Sequence, residues 1–423
     1  MGGPLNEASE VPHALRHAVF LARATSESEM GAPSARLGQA AFLVLRLVDL
    51  LIPGQSVGAP DVFLYQASAT DRYARELDVD SSEKAHLLAI VKGARDAFTA
   101  QQAGLVTPAL VAYAHLLEDS GLYHEALDVL DTLLVVGGEG LAQGDAIATW
   151  LRVARVNRKL IQFDTAYAAY ERAGTMALLA GDVYSELLSR IGRVNIVWYR
   201  GNLTEAEAGY RQLIADAQAA HLPDAEARAT QGLGDTLSMR GNGAGAIPLL
   251  WRAYELYEDV PAKVRVLIEL GIDFRGVGDF EASDRALRVG LKIRGDSEDG
   301  TNAILELMET CSQRGDRFGY ARWREEARRR ESRLSPSMKA DFLLKQGLAE
   351  ARFGNVERGR EQLRQALDLA HTLKLHELEF RIEGLVNDLR EPDRLQPAES
   401  AEVMQNQSLD AVRAGLRELA AAD

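Results

Sequence analysis

The sequence holds a single cysteine, Cys311, among 423 residues. One thiol excludes an intramolecular disulfide and a cysteine-rich zinc site. Positive charge is in deficit too: 48 Lys and Arg stand against 62 Asp and Glu, a net charge of −14. That balance argues against nonspecific nucleic-acid or anionic-membrane binding by the whole surface. Long apolar runs are missing. The strongest, Ala40 to Ile52, carries Arg46 and Asp49 and falls short of the roughly 20 residues a membrane span needs. It reads as a buried helix. Residues 1–17 mix acids and bases, and Ala18 to Ala22 is too short for the apolar region of a signal peptide. The expected location is the cytoplasm. The chain also lacks a G-x-x-x-x-G-K-[ST] phosphate loop and any helix-turn-helix or zinc-finger module.

What is present is a globular composition, 47% hydrophobic and 26% charged. Residues 1–106 predict helices at Val11–Ala24, Ala35–Ile52, Val62–Leu77 and Ser82–Ala100, with no clean period. From Thr107 a period emerges. A turn residue falls at Gly121, Ile161, Gly201, Gly241, Gly278, Gly315 and Gly354, at spacings of 40, 40, 40, 37, 37 and 39. Glycine tolerates the left-handed conformation that ends a helix. Two residues later a bulky apolar residue docks back: Tyr123, Phe163, Leu203, Phe280, Val356. Five residues after the turn stands a small residue, as at Ala126, Ala166, Ala206, Ala246, Ser283 and Gly359. Seven residues before it stand Ala114, Ala154, Gly234, Gly271 and Gly347. Small residues let two helices cross closely, and large ones fill the space between. A fixed period of this length marks a solenoid.

This order of small and large positions resembles tetratricopeptide (TPR) repeats, in the long-unit subtype of about 40 residues. That subtype occurs in kinesin light chains, polarity adaptors, and bacterial peptide-sensing and transcription-activator regulators. The resemblance covers Thr107 to Leu389. It implies an all-α, right-handed α-solenoid superhelix of antiparallel helix pairs. The expected organisation is a helical region over 1–106, either degenerate repeats or a cap. Seven repeats over 107–390 follow, then a linker and C-terminal helix over 391–423. The departures are Ile161 for Gly, Val194 and Met308 at the first-helix small position, and Tyr320 at the second-helix one. Ser408 reads as an N-cap for a helix with Leu409, Val412, Leu416 and Leu419 on one stripe. Terminal units need a cap, so this helix is expected on the last repeat.

Candidate chemistry is sparse. Gly54-Gln55-Ser56-Val57-Gly58 matches the G-x-S-x-G nucleophile elbow, but a helix-like run precedes it where a strand is required. Gly241-Asn242-Gly243-Ala244-Gly245-Ala246 resembles half a dinucleotide loop and follows a helix, so it reads as a repeat turn. His13 and His17 are one helical turn apart without a third ligand, and read as a surface pair. His371 and His376 read as structural. Cys311 reads as a small core residue. Arg322, Arg324, Arg328, Arg329, Arg330 and Arg333 are interleaved with Glu325, Glu326 and Glu331, which reads as a solvated, ion-paired face. Neither a catalytic site, a cofactor nor a metal is expected.

The inward stripe of each first helix should lie three, six, ten and thirteen residues before the turn, because those offsets share a face. It selects Arg155, Arg158, Asn195, Trp198, Arg228, Gln231, Arg265 and Arg275 as candidate partner-binding residues. Arginine forks suit carboxylates, Asn and Gln can hold a peptide backbone, and Trp offers an apolar anchor. The competing reading pairs these arginines with acids of neighbouring units. The expected function is noncatalytic binding of a protein or peptide, acidic with an apolar anchor. The alternative is a peptide-sensing regulator acting on a separate output protein.

Overall fold

The computed structural model describes residues 15–26, 33–52, 60–77, 81–331, 334–373, 375–388 and 407–422. Within them the regular elements are helices: α1 (Ala18–Ser26), α2 (Pro33–Asp49), α3 (Pro60–Glu76), α4 (Ser82–Ala100), α5 (Thr107–Asp119), α6 (Tyr123–Gly137), α7 (Gln143–Lys159), α8 (Phe163–Ala180), α9 (Val183–Tyr199) and α10 (Leu203–Ala219). Then come α11 (Pro223–Met239), α12 (Gly243–Leu256), α13 (Val260–Gly276), α14 (Phe280–Arg294), α15 (Glu298–Gln313), α16 (Arg317–Arg329), α17 (Pro336–Arg352), α18 (Val356–Thr372), α19 (His376–Asp388) and α20 (Gln407–Ala421). No strand occurs among the described residues.

Seven antiparallel pairs, from α5/α6 to α17/α18, close at the residues that the period singles out. All seven turn residues have positive φ, from 61° at Ile161 to 92° at Gly354. Each turn also has the six-to-one backbone bond of a Schellman cap, such as Leu122 N–H to Leu117 O at 2.9 Å and Gln162 N–H to Asn157 O at 2.9 Å. Many of the helices start on a side-chain cap that satisfies an otherwise orphaned N–H, among them Ser81 for α4, Asn242 for α12, Asp259 for α13, Asp279 for α14, Ser297 for α15, Asp316 for α16 and Ser335 for α17.

The chain divides into two compact units, Met1–Gly192 and Arg193–Asp423. In the first, Phe63 stacks on Phe98 at 4.0 Å, and Arg23 grips Glu83 with two bonds of 2.8 and 2.9 Å. The Tyr113 hydroxyl donates to the same carboxylate at 2.9 Å. The expected surface reading of His17 is wrong. Its ring is buried, with Nδ1 2.5 Å from Asp128 and Nε2 3.2 Å from Asp49. Residue 17 precedes α1 with φ at 64°, which turns the ring inward against α2 and α6. His13 and the 54–58 motif lie outside the described residues.

The second unit holds another correction. The C-terminal helix α20 does not cap the last pair. That position is taken by α19, whose Leu378, Ile382 and Leu385 pack with Leu363, Ala366 and Ala370 of α18. Instead, α20 lies on α12 and α14, where Leu409, Val412 and Leu416 join a core cluster with Ala253, Tyr257, Ala282, Ala286 and Val289. The sixth pair is irregular for a physical reason. Met308 and Tyr320 are large and buried, and the close approach moves to Gly319, where an added Cβ would lie 2.7 Å from Cys311 Sγ. Cys311 is a core residue, as expected, and burial pushes its thiol up to about 11.

Candidate functional site

The first-helix stripes are dense in charge, and most of it is paired between neighbouring first helices. In the first unit, Glu118 closes α5 with a fully buried side chain. Three cations of α7 converge on it: Arg152 at 2.6 Å, Arg155 at 2.8 Å and Lys159 at 2.9 Å. Burial alone would raise the Glu118 carboxyl, but the charges of Arg155, Lys159 and Arg152 hold it below its ordinary value. The carboxylate of Asp119 also acts on Arg152, so three positive charges face two negative ones and leave a surplus of one. Burial and the charge of Arg152 also push the nearby His115 below its usual range. Arg155 keeps 45% of its side chain exposed, and Lys159 also lies over the Tyr123 ring. Arg158 is half-buried and engaged within the chain. Arg152 and Lys159 escaped the offsets used on the sequence. They flank Arg155 at helical spacing, which is the signal that could have found them.

In the second unit the selected residues are mostly occupied. Asn195 accepts from the Tyr210 hydroxyl at 2.5 Å. Trp198 packs edge-on against Tyr199 at 4.9 Å. Arg228 pairs with Asp224 at 2.7 Å, four residues away. Gln231 donates to both oxygens of Glu269 and accepts from the Tyr257 hydroxyl at 2.8 Å. Arg275 is nearly buried against Glu306 at 2.8 Å. Lys345 reaches Glu306 from the other side, also at 2.8 Å, and pairs with Asp341. Those cations overcome burial and hold Glu306 down to about 2. Arg265 is exposed. For Arg155, Arg228 and Arg275 the internal-pairing reading therefore describes the resting chain.

A second feature of this unit was missed by sequence reading. Asp235, Glu269 and Asp273 sit together on α11 and α13. Burial, then the charge of Asp273, raises Asp235 to about 7. Burial and Asp235 raise Glu269 well above its ordinary value, and burial raises Asp273 to about 6 although Ser238 donates to it at 2.6 Å. Near neutral pH this carboxylate group holds protons.

The other candidates resolve as local structure. The glycine-rich stretch after Gly241 is a repeat turn in which Asn242 caps Gly245. On α16, Arg324 pairs with Glu350, and Arg329 and Arg330 pair with Glu326. Arg333 lies outside the described residues. His371 faces Glu379 at 3.1 Å. No helix among the described residues is long and apolar enough to cross a membrane.

No family model matches this chain, and no curated protein matches it. Solved structures do. The Rap conjugation gene regulator of the plasmid pLS20, solved with the Phr* peptide, is 10% identical, with a TM-score of 0.54 over 84% of this chain and 97% of that one. Aspartyl phosphate phosphatase F from Bacillus subtilis is 10% identical, with a TM-score of 0.49 over 82% and 95%. A tetratricopeptide repeat protein from Parabacteroides merdae is 15% identical, with a TM-score of 0.42 over 67% and 99%. The likeness to the Rap regulator is one of fold: a TPR-like all-helical repeat protein.

Proposed function

We propose that this chain is a noncatalytic peptide- or protein-binding scaffold that recognises its partner on the first-helix faces, with an acidic group of the partner received by α7. The observation that carries the reading is the cluster on Glu118. Its three cations share one carboxylate, so a partner carboxylate can join them without displacing it. Arginine offers a planar fork of donors, and Arg155 keeps enough exposed surface to use it. The Rap regulator of the same fold was solved with the Phr* peptide, which supports a peptide as the ligand class and a regulatory role as the runner-up.

The test is a selection of about twelve-residue displayed peptides on the intact chain and on an Arg155→Glu, Arg158→Glu variant. Wild type should enrich peptides with acidic residues and one large apolar side chain. The variant should lose them while keeping wild-type helicity. Enrichment of the same peptides on both chains would contradict the assignment to α7. Enrichment of none would contradict the scaffold reading itself.

A further inference from the structure

The C-terminal helix α20 differs from the helices of the paired array. Those helices are joined to their neighbours by short turns. α20 follows α19 through residues 389–406 and then packs on α12 and α14, more than a hundred residues back along the chain. It is held by side chains of one face. Leu409, Val412 and Leu416 are buried, while the opposite positions Ala411, Ala414, Arg417 and Glu418 are exposed.

Three features make the contact specific. Arg413 Nε donates to Asp279 at 2.6 Å, a nearly buried pair. The same Asp279 caps α14 through its other oxygen, donated to by Ala282 N–H at 3.0 Å, so its position is fixed before α20 arrives. Gly415 lies flat on Trp251, where an added Cβ would come within 2.3 Å of the indole. Glycine inside a helix is unfavourable by propensity, and this close approach accounts for it. Lys292 of α14 donates to the Ala422 carbonyl at 3.0 Å, fixing the far end. Apolar stripe, arginine, glycine and C-terminal carbonyl each meet a matching feature of α12 or α14.

We propose that the outer faces of α12 and α14 form a second binding site, distinct from the first-helix faces, whose ligand is an amphipathic helix, and that α20 is its tethered, replaceable occupant. The partner is a helix of α20's own chemistry: apolar residues at positions matching 409, 412 and 416, an arginine at 413 and a small residue at 415. The tether sets the competition. Being part of the same chain gives α20 an effective concentration at this face in about the millimolar range. A free partner therefore binds only when it out-competes α20 or when α20 is weakened.

The test uses a fluorescent peptide of residues 407–422 and the full-length chain. A Leu409→Asp, Leu416→Asp chain, whose own helix no longer fits, should bind this peptide at least 20-fold more tightly than wild type. Adding Asp279→Arg should abolish that binding, and a peptide carrying Arg413→Asp should restore it. A peptide carrying Gly415→Leu should not bind. Failure of the peptide to bind the weakened chain, with its helicity and melting unchanged, overturns the proposal, and so does indifference to Asp279→Arg. A second measurement keeps the wild-type face. Glu418→Cys places a label on the exposed side of α20, the native Cys311 being buried. Excess unlabelled peptide should free the label and lower its anisotropy, and the Gly415→Leu peptide should not. No release at millimolar peptide overturns the proposal as well.

Discussion

Replacing Ile161 by glycine should stabilise this protein. Six of the seven turn positions are glycine at φ between 75° and 92°, and the seventh is Ile161 at 61°. In that region an L-residue brings its Cβ against the following carbonyl, at a cost of about 1–2 kcal/mol, and β-branching makes the position a clear outlier. The Ile161 side chain is 63% exposed, so its removal forfeits little burial. Glycine also loosens the unfolded chain, which gives back part of the gain, up to about 1 kcal/mol. The expected net effect is about 0.5–1 kcal/mol of added stability, a rise of roughly 1–4 °C for a cooperative unit of this size. Scanning calorimetry suits the measurement, because two compact units need not unfold as one and only the transition of Met1–Gly192 should move. The reciprocal change, Gly201→Ile, should lower stability by about 1–2 kcal/mol. If Ile161→Gly destabilises the chain, or Gly201→Ile has no effect, the left-handed turn is not what sets the period.

Two pH effects follow from the buried titrating groups. Burial tends to lower His17, but hydrogen bonds and charge from Asp128 and Asp49 outweigh it, and its value ends raised. Arg16 and Arg46 also face Asp49 from the side of α1 and α2. A raised histidine adds stability that is fully present below about 6.5 and is lost as pH climbs through the folded value. His17→Gln should therefore cost more at pH 6 than at pH 9 in parallel thermal melts; equal losses would contradict the ion-pair reading. Asp235, Glu269 and Asp273 work through a different sign. Their folded values are raised, so the folded chain binds more protons than the unfolded one above about pH 4, and stability falls as pH rises through about 6 and 7. Asp235→Asn should remove part of that penalty and stabilise the chain at pH 8 by about 1–2 kcal/mol, after allowance for the partial exposure of the site. At pH 4 it should be neutral, and a stabilisation independent of pH would refute the assignment.

The repeat was legible because its turn has one backbone requirement that few residues meet. Even Ile161, chemically wrong for the place, was identified by its distance from its neighbours and has the expected positive φ. The sixth pair was less legible, since its close approach moved to Gly319 and Cys311, off the register that the other pairs keep. The stripe offsets singled out charged residues of the first helices but not their pairing. Several first-helix residues find their partner on the neighbouring first helix, as in Arg152 with Glu118, Gln231 with Glu269, and Lys345 with Glu306, separated by 34, 38 and 39 positions. Those separations approach the repeat length, so matching opposite charges one unit apart would have exposed the ladder. His17 and α20 had no such signal. Their partners lie 111 and 134 residues away at positions that no period relates.

In the proposed function, the cations of α7 receive an acidic group of the partner. The most direct measurement is the dissociation constant of one selected acidic peptide for the wild-type and Arg155→Gln chains at two salt concentrations. A charge-assisted hydrogen bond contributes about 1.5–3 kcal/mol, so the substitution should weaken binding by roughly 10- to 100-fold and flatten its salt dependence. Equal affinity and equal salt dependence on both chains would contradict the claim.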